Sequence, residues 1–194
     1  EVMKSGVNQR EVVARLKLLH RRHMPLVDDE GKFVKLFTLD DIEFVSKQNP
    51  VVIMAGGLGS RLGELTKLTP KPMLHVGEKP MLQHLIEMFS DHGYNKFLLC
   101  VNYKKEVIKD YFQSGKSLGV QIEYIEEDKR LGTAGALSLL NPAPNQPFFV
   151  INGDILTTLD FNDLLKFHDH SSSVATMCVR TYTYTIPYGV VKTT

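Results

Sequence analysis

The sequence predicts an α/β fold with a mainly parallel sheet, preceded by a small α+β segment. Three observations predict it. Residues 51–54, 96–101, 120–125 and 148–151 read as short strands bounded by turn residues, and the wholly apolar runs 51–54 and 148–151 read as strands buried on both faces. Between them, apolar residues recur at helical spacing, as in Leu82, Leu85, Ile86 and Phe89. Strands alternating with helices imply parallel pairing through right-handed crossovers. The expected architecture is a Rossmann-like three-layer sandwich.

Residues 1–48 stand apart. Val12, Val13, Leu16 and Leu19, with His20 at the margin, fall at helical spacing, and Arg and Lys take the other face. Residues 23–28, a turn at Asp29-Glu30-Gly31, and residues 32–37 read as strand, hairpin turn and strand. Thr38 is placed to cap a following helix. A polar bridge at 46–50 ends in proline and sets the domain boundary, giving segments 1–48 and 49–194. Further on, Pro80 opens a helix that runs to about His92, with Gly93 as its stop. Asn102 reads as the cap of a helix bearing Val107, Ile108, Tyr111 and Phe112, ending before Gly115. Residues 132–140 read as a short helix, and 141–147 hold three prolines and read as a loop. Asp160 caps a helix to about His170, and 174–179 and 188–192 read as further strands. There are no internal repeats and no low-complexity segments.

The 194 residues suffice for one core of ordinary size and a small appendage. A formal net charge of +1 gives no bulk electrostatic argument for nucleic acid or a membrane surface as partner. No apolar stretch approaches the roughly 20 residues of a membrane span. The start shows no signal-peptide pattern. A cytoplasmic enzyme is therefore expected. Cys100 and Cys178 both sit in apolar, strand-like runs and read as buried free thiols of a reducing compartment.

One stretch organises the chain. The apolar run 51–54 feeds a loop holding Gly56, Gly57, Gly59 and Gly63, with Arg61 among them. Glycines let the backbone pass close to a ligand, and successive amides can point at an anion. Arg61 adds a planar fork of donors suited to phosphate oxygens. Ten residues on lies Pro70-Lys71-Pro72. A Walker loop is excluded, since no Gly-Lys-Ser/Thr closes the stretch. The dinucleotide fingerprint fails too: Gly57 and Gly59 fit, but Leu62 stands at the third glycine position. The next apolar run ends at Val101-Asn102, without a carboxylate for a ribose 2′-hydroxyl. A phosphate site of a nucleotide-using enzyme remains; the alternative is a plain glycine turn with an exposed arginine.

The stretch Ala55-Gly56-Gly57-Leu58-Gly59-Ser60-Arg61-Leu62 is followed by Thr69-Pro70-Lys71-Pro72-Met73-Leu74 and by Lys79-Pro80-Met81. Leu131-Gly132-Thr133-Ala134-Gly135, Asn152-Gly153-Asp154 and Tyr188-Gly189-Val190 come after them in order. Together these resemble the signature of sugar-1-phosphate nucleotidylyltransferases, the NDP-sugar pyrophosphorylases, over everything from about Val51 onward. The resemblance implies attack of a sugar-1-phosphate oxygen on the α-phosphorus of an NTP, with pyrophosphate leaving. It makes Arg61 and Lys71 the catalytic cations, on the leaving phosphates and the α-phosphate respectively. It makes Asp154 the Mg²⁺ carboxylate. Ala55, Gly56, Gly57, Gly59, Ser60, Gly132 and Thr133 would bind the nucleotide, and Asn152 and Gly189 would face the sugar. A base- or ribose-reading residue falls near Glu126-Glu127-Asp128, without a choice among the three. The Leu131–Gly135 motif is similar to the mannose-1-phosphate guanylyltransferase branch, so GTP is favoured, with UTP and dTTP open.

The location of these motifs supports one site. Ligands of open α/β sheets lie beyond the carboxyl ends of the strands. The glycine loop, the acidic run 126–128 and Asn152-Gly153-Asp154 follow the first, third and fourth expected strands. The family's second metal-binding aspartate and a sugar-binding glutamate fall downstream of the Tyr-Gly-Val segment, beyond Thr194, so these 194 residues alone are expected to be inactive or impaired. His168 and His170, at i and i+2, cannot share one helical face for a metal. His75 reads as a packing residue at a strand edge.

The first segment is similar to the second half of a CBS motif, in which residues matching Thr38 and Asp41 contact ribose. Lys35 stands where that family usually has glycine. A packing role, or a homo-oligomer contact, is expected of it. Two other readings stay open: a non-catalytic nucleotide-binding module in which this segment senses ligand, and a compact CTP-using cytidylyltransferase, which fits Pro-Lys-Pro-Met less well.

Overall fold

The computed structural model describes residues 1–7, 9–38, 47–57, 59, 62–129, 131–185 and 187–189. The first segment contains β1 (Met3–Lys4), α1 (Gln9–Leu18), β2 (His23–Val27) and β3 (Phe33–Thr38). β2 pairs parallel with β1 and antiparallel with β3. Asp28 fixes the hairpin turn, its Oδ1 accepting from the amides of Glu30 at 3.1 Å and Lys32 at 2.8 Å. Gly31 supplies the positive φ of 83°. Val12 and Leu16, four apart on α1, are buried with Met24, Leu26 and Phe37.

Differences from the sequence reading are local. β1 was not foreseen, because two residues are too few to show a period. α1 stops at Leu18, so Leu19 packs from beyond its end. The helix expected after Thr38, and Asp41 with it, lies outside the described residues.

The second segment runs β4 (Val51–Met54), α2 (Leu65–Leu68), β5 (His75–Val76), β6 (Lys79–Pro80), α3 (Met81–Asp91), β7 (Lys96–Val101), α4 (Lys105–Phe112), β8 (Gln121–Glu126), β9 (Phe149–Asn152) and α5 (Phe161–His170). Four strands form one sheet in the order β8-β7-β4-β9, every neighbouring pair parallel. β4 is central and covered on both faces, so Val51, Val52 and Ile53 are all fully buried. The two-residue period divides them. Val51 and Ile53 face Leu82, Leu85, Ile86 and Phe89 of α3, with Ile108 and Phe112 of α4 and Phe161 of α5 in the same cluster. Val52 faces the other side with Cys100 and Ala136. That second face is covered thinly, by the 3-10 turn Gly135–Leu139 and the chain leading to Phe148. The architecture is the expected α/β sandwich, thick on its helical side.

The polar bridge is stitched to this unit. The Lys47 amide donates to Gly93 O at 2.9 Å. Gln48 O accepts from Gln146 Nε2 at 2.5 Å, and Asn49 Nδ2 donates to Pro147 O at 2.7 Å.

Several expectations are corrected. Asn102 does not cap α4; the cap position is Lys104 at φ 48°, without a side-chain bond, and Asn102 turns its amide to Glu127 O at 2.5 Å. The 132–140 helix shortens to the 3-10 turn Gly135–Leu139. Residues 174–179 are not a strand: Val174, Met177 and Val179 are exposed, and an apolar run makes a strand only where a neighbour completes the ladder. Residues 188 and 189 carry no strand either, and 190–192 lie outside the described residues. Cys178 is accordingly exposed, whereas Cys100 is buried as expected. His75 sits in the exposed β5–β6 hairpin and packs into no core. No helix among the described residues is long and apolar enough to cross a membrane.

Candidate functional site

The site is built where the four parallel strands end. Each ladder continues one residue past its strand: Ala55 N donates to Cys100 O at 2.8 Å, Glu127 N to Val101 O at 3.0 Å, and Gly153 N to Met54 O at 2.9 Å. These bonds hold the glycine loop, the end of β8 and the Gly153-Asp154 turn side by side. Ala55 is fully buried beneath them.

Each glycine of the first loop has its own reason. A Cβ on Gly56 would stand 3.1 Å from Glu127 Oε1 and 3.1 Å from Asn102 Cβ. Gly59 holds φ 63°, and a Cβ there would come within 2.8 Å of Thr66 Cγ2. Thr66, buried, closes the loop by donating its hydroxyl to Gly59 O at 3.0 Å. Gly57 and Gly132 face open space, with no atom within 4 Å of an added Cβ. Gly132 also takes φ 88°, and Thr133 beside it is exposed.

Lys71 and Asp154 are the decisive pair. Pro70 and Pro72 are buried on either side of Lys71, and the 3-10 turn Lys71–Met73 fixes its backbone. Pro72 Cγ lies 3.3 Å from where a Cβ on Gly153 would stand. This close packing of proline on glycine carries Lys71 to the next residue, Asp154. Lys71 Nζ donates to Asp154 Oδ2, joining residues 83 apart in the chain. Both side chains stay reachable, at 38% and 26% exposure. An ammonium and a carboxylate at the rim of a glycine loop can take an anion and a hard cation side by side.

The acidic run resolves by the same two-residue period that splits the sheet. Glu126 falls on the helical face and is taken by Lys105 and Lys109 of α4, at 2.5 and 2.7 Å. Those two hydrogen bonds hold its carboxyl down at about 2. Glu127 falls on the opposite face, beside the glycine loop, and its Oε2 accepts from Leu131 N at 3.3 Å. Asp128 is exposed. Burial pushes the Cys100 thiol up to about 11, and the Glu127 charge adds to the shift, so Cys100 is no nucleophile.

Asn152 is exposed at the end of β9, and Gly189 lies in an exposed stretch with open space around it. Arg61 and Ser60 lie outside the described residues. His168 pairs with the Thr176 hydroxyl at 2.9 Å and His170 with Lys166 O at 2.6 Å. Among the described residues no group of three or more His, Cys, Asp or Glu could hold a metal.

The family profile described as Nucleotidyl transferase matches residues 50–194. The chain belongs to that family. The mannose-1-phosphate guanylyltransferase catalytic subunit beta of Dictyostelium discoideum is 39% identical over 143 residues, covering 72% of this chain and 40% of the relative. A UTP–glucose-1-phosphate uridylyltransferase of Synechocystis is 34% identical over 156 residues, covering 73% and 40%. In structure the chain is similar to HddC from Yersinia pseudotuberculosis complexed with GMP-PN, at TM-score 0.55 and 34% identity, over 61% of this chain and 53% of that one. The chain thus spans about 40% of the length of the curated relatives it matches.

For a nucleotidyl transferase the donor set around Asp154 suits Mg²⁺ in one way only. A single carboxylate makes no protein cage. Mg²⁺ keeps its waters and is commonly held by one or two carboxylates together with substrate phosphates. Asp154 fits that second arrangement.

Proposed function

We propose that this chain is the nucleotide-binding part of a sugar-1-phosphate nucleotidyltransferase that joins GTP to a sugar-1-phosphate and releases pyrophosphate. The observation that carries the reading is the Lys71–Asp154 contact beside the glycine loop. In-line displacement at phosphorus needs positioning and charge neutralisation more than covalent chemistry. Lys71 holds the α-phosphate and the incoming sugar phosphate, stiffened by its flanking prolines. The amides of Gly57 and Gly59 receive phosphate oxygens, and Arg61 takes the leaving pyrophosphate. Mg²⁺, held by Asp154 and phosphate oxygens, would supply further charge neutralisation. Gly56, Ser60, Gly132 and Thr133 line the nucleoside, and Asn152 and Gly189 face the sugar. Ala55, expected at the nucleoside, is fully buried and supports the loop from beneath.

Glu127 adds support for GTP. Guanine presents two donors on one edge, its ring N1–H and its exocyclic amine. An ionised carboxylate is acceptor-only and can take both. Uracil and thymine present one donor there, flanked by carbonyls. The test is pyrophosphate release by the full-length protein over a panel of NTPs and sugar-1-phosphates. K71A is expected to lower kcat/KM by about 10²–10³-fold, as loss of a preorganised charge-stabilising donor does elsewhere. Undiminished turnover in K71A would overturn the reading.

The first segment is assigned an accessory role, with the boundary near residue 48. Its Phe33, Val34 and Leu36 on β3 are exposed, which supports a contact between copies of the protein. The CBS-like reading rests on the sequence resemblance alone. A cytoplasmic location accords with two free cysteines.

A further inference from the structure

The Lys71–Asp154 pair has a second consequence, which rests on the nucleotide reading above. The carboxylate that suits a divalent cation is already engaged by an ammonium from its own chain. Among the described residues no cluster of further acids offers a free cation an alternative. We propose that Lys71 locks Asp154 against free divalent metal, so that the cation is admitted only together with a polyphosphate.

The charges explain the lock. A dication approaching Asp154 alone meets a neutral pair, and to bind it must either displace Lys71 or sit beside its ammonium. Displacing Lys71 leaves two like-charged groups around one carboxylate. The cation would gain a single protein oxygen in return, and Mg²⁺ gives up its waters reluctantly. A triphosphate changes both sides of the exchange. Its oxygens offer Lys71 a partner bearing more negative charge than one carboxylate, so Nζ leaves Oδ2 for phosphate. They also complete the metal's coordination beside the freed Asp154. No covalent bond forms or breaks; two ion pairs exchange partners. The partial exposure of both side chains allows the exchange without unfolding the loop. Because linkage is reciprocal, the cation must tighten nucleotide binding by the same factor that nucleotide tightens cation binding.

The experiment uses the full-length protein with Mn²⁺ as an electron paramagnetic resonance probe. Free and bound Mn²⁺ are counted with and without a non-hydrolysable GTP analogue, in wild type, K71Q, D154N and K71Q/D154N. Without nucleotide, wild type and D154N are expected to bind Mn²⁺ equally weakly. K71Q is expected to bind it about 5- to 150-fold more tightly, the span usual for coupled sites. K71Q/D154N should lose that gain. With the analogue, wild type should gain Mn²⁺ affinity and D154N should not. Nucleotide-free wild type that binds Mn²⁺ as tightly as K71Q, or more tightly than D154N, overturns the lock. Should K71Q fail to fold, K71M takes its place in the same comparison, with the same outcomes deciding. Absence of analogue binding in every protein would instead sink the nucleotide reading, while the nucleotide-free arms still judge the lock.

Discussion

Glu126 and Glu127 are neighbours of the same type with opposite employments, and the pleat of β8 separates them. Glu126 braces α4 through Lys105 and Lys109, and its carboxyl sits at about 2 against an ordinary 4.5. The unfolded chain therefore takes up a proton first as pH falls. The contribution is fully present above about pH 4.5 and is lost as pH drops toward 2. We expect the acid limb of the Tm–pH curve to flatten in E126Q relative to wild type between those values, with the two curves parallel above pH 5. Both lysines are partly open to solvent, so added salt should shrink the difference. Glu127 should behave otherwise. E127Q keeps the size and replaces one acceptor by a donor, leaving one donor of guanine facing a donor. A hydrogen bond to a charged group contributes about 1.5–3 kcal/mol, so kcat/KM for GTP should fall by about 10- to 100-fold. Turnover with UTP should fall much less. Equal losses for GTP and UTP would remove Glu127 from the base edge.

At the scale of elements, legibility followed burial. β4 and β7 could be read because strands inside a covered sheet need apolar runs. The edge strand β8 instead alternates polar with apolar residues, and β9, expected to be buried on both faces, is half-exposed because it too is an edge. α3 could be read because Leu82, Leu85, Ile86 and Phe89 keep one face, and all four are fully buried. Phe89 is its keystone, stacked on Phe161 of α5 with ring centroids 3.7 Å apart and edge-on to Tyr94, Phe97 and Phe149. F89A should cost about 3–5 kcal/mol, read as the change in ΔG of urea unfolding. A loss below 1 kcal/mol would mean that α5 can close the gap. Asp160 could be read as a cap because its bonds to the amides of Asn162 and Asp163 are made within four residues. Asn102 has the same chemistry but enters a chain turned by Lys104 at φ 48°, so its amide goes to Glu127 O instead. The residues around 174–179 carry the apolar composition of a strand with no ladder beside them among the described residues, and composition alone does not supply hydrogen-bond partners. For the site, the residue types and their places after strands were legible. The Lys71–Asp154 bond was not, because the packing of Pro72 on Gly153 brings the two ends together only in the folded chain.

Taken whole, the molecule holds its apolar interior in separate clusters. Among the described residues, one comprises Val12, Leu16, Met24, Leu26 and Phe37, and the others contain none before Val51. Separate cores predict separable roles, and the bridge tells where to cut. Lys47, Gln48 and Asn49 each bond to the second unit, through Gly93, Gln146 and Pro147. A protein begun at Lys47 keeps those ties, whereas one begun at Val51 loses all three and also the bond from Phe149 N to Pro50 O. If the first segment is accessory, the Lys47 form should bind the GTP analogue with the affinity of the full-length protein. If the exposed β3 face joins copies, light scattering should show that same form reduced to a smaller species. The Val51 form should fold but melt lower. Each kcal/mol lost shifts Tm by about 2–4 °C in a chain of this size, and a net hydrogen bond contributes about 0.5–1.5 kcal/mol. Four such bonds, counted at the low end of about 0.5 kcal/mol each because water can replace them, predict a drop of roughly 4–8 °C. A Lys47 form that cannot bind nucleotide would show that the first segment completes the site, and would move the domain boundary proposed near residue 48.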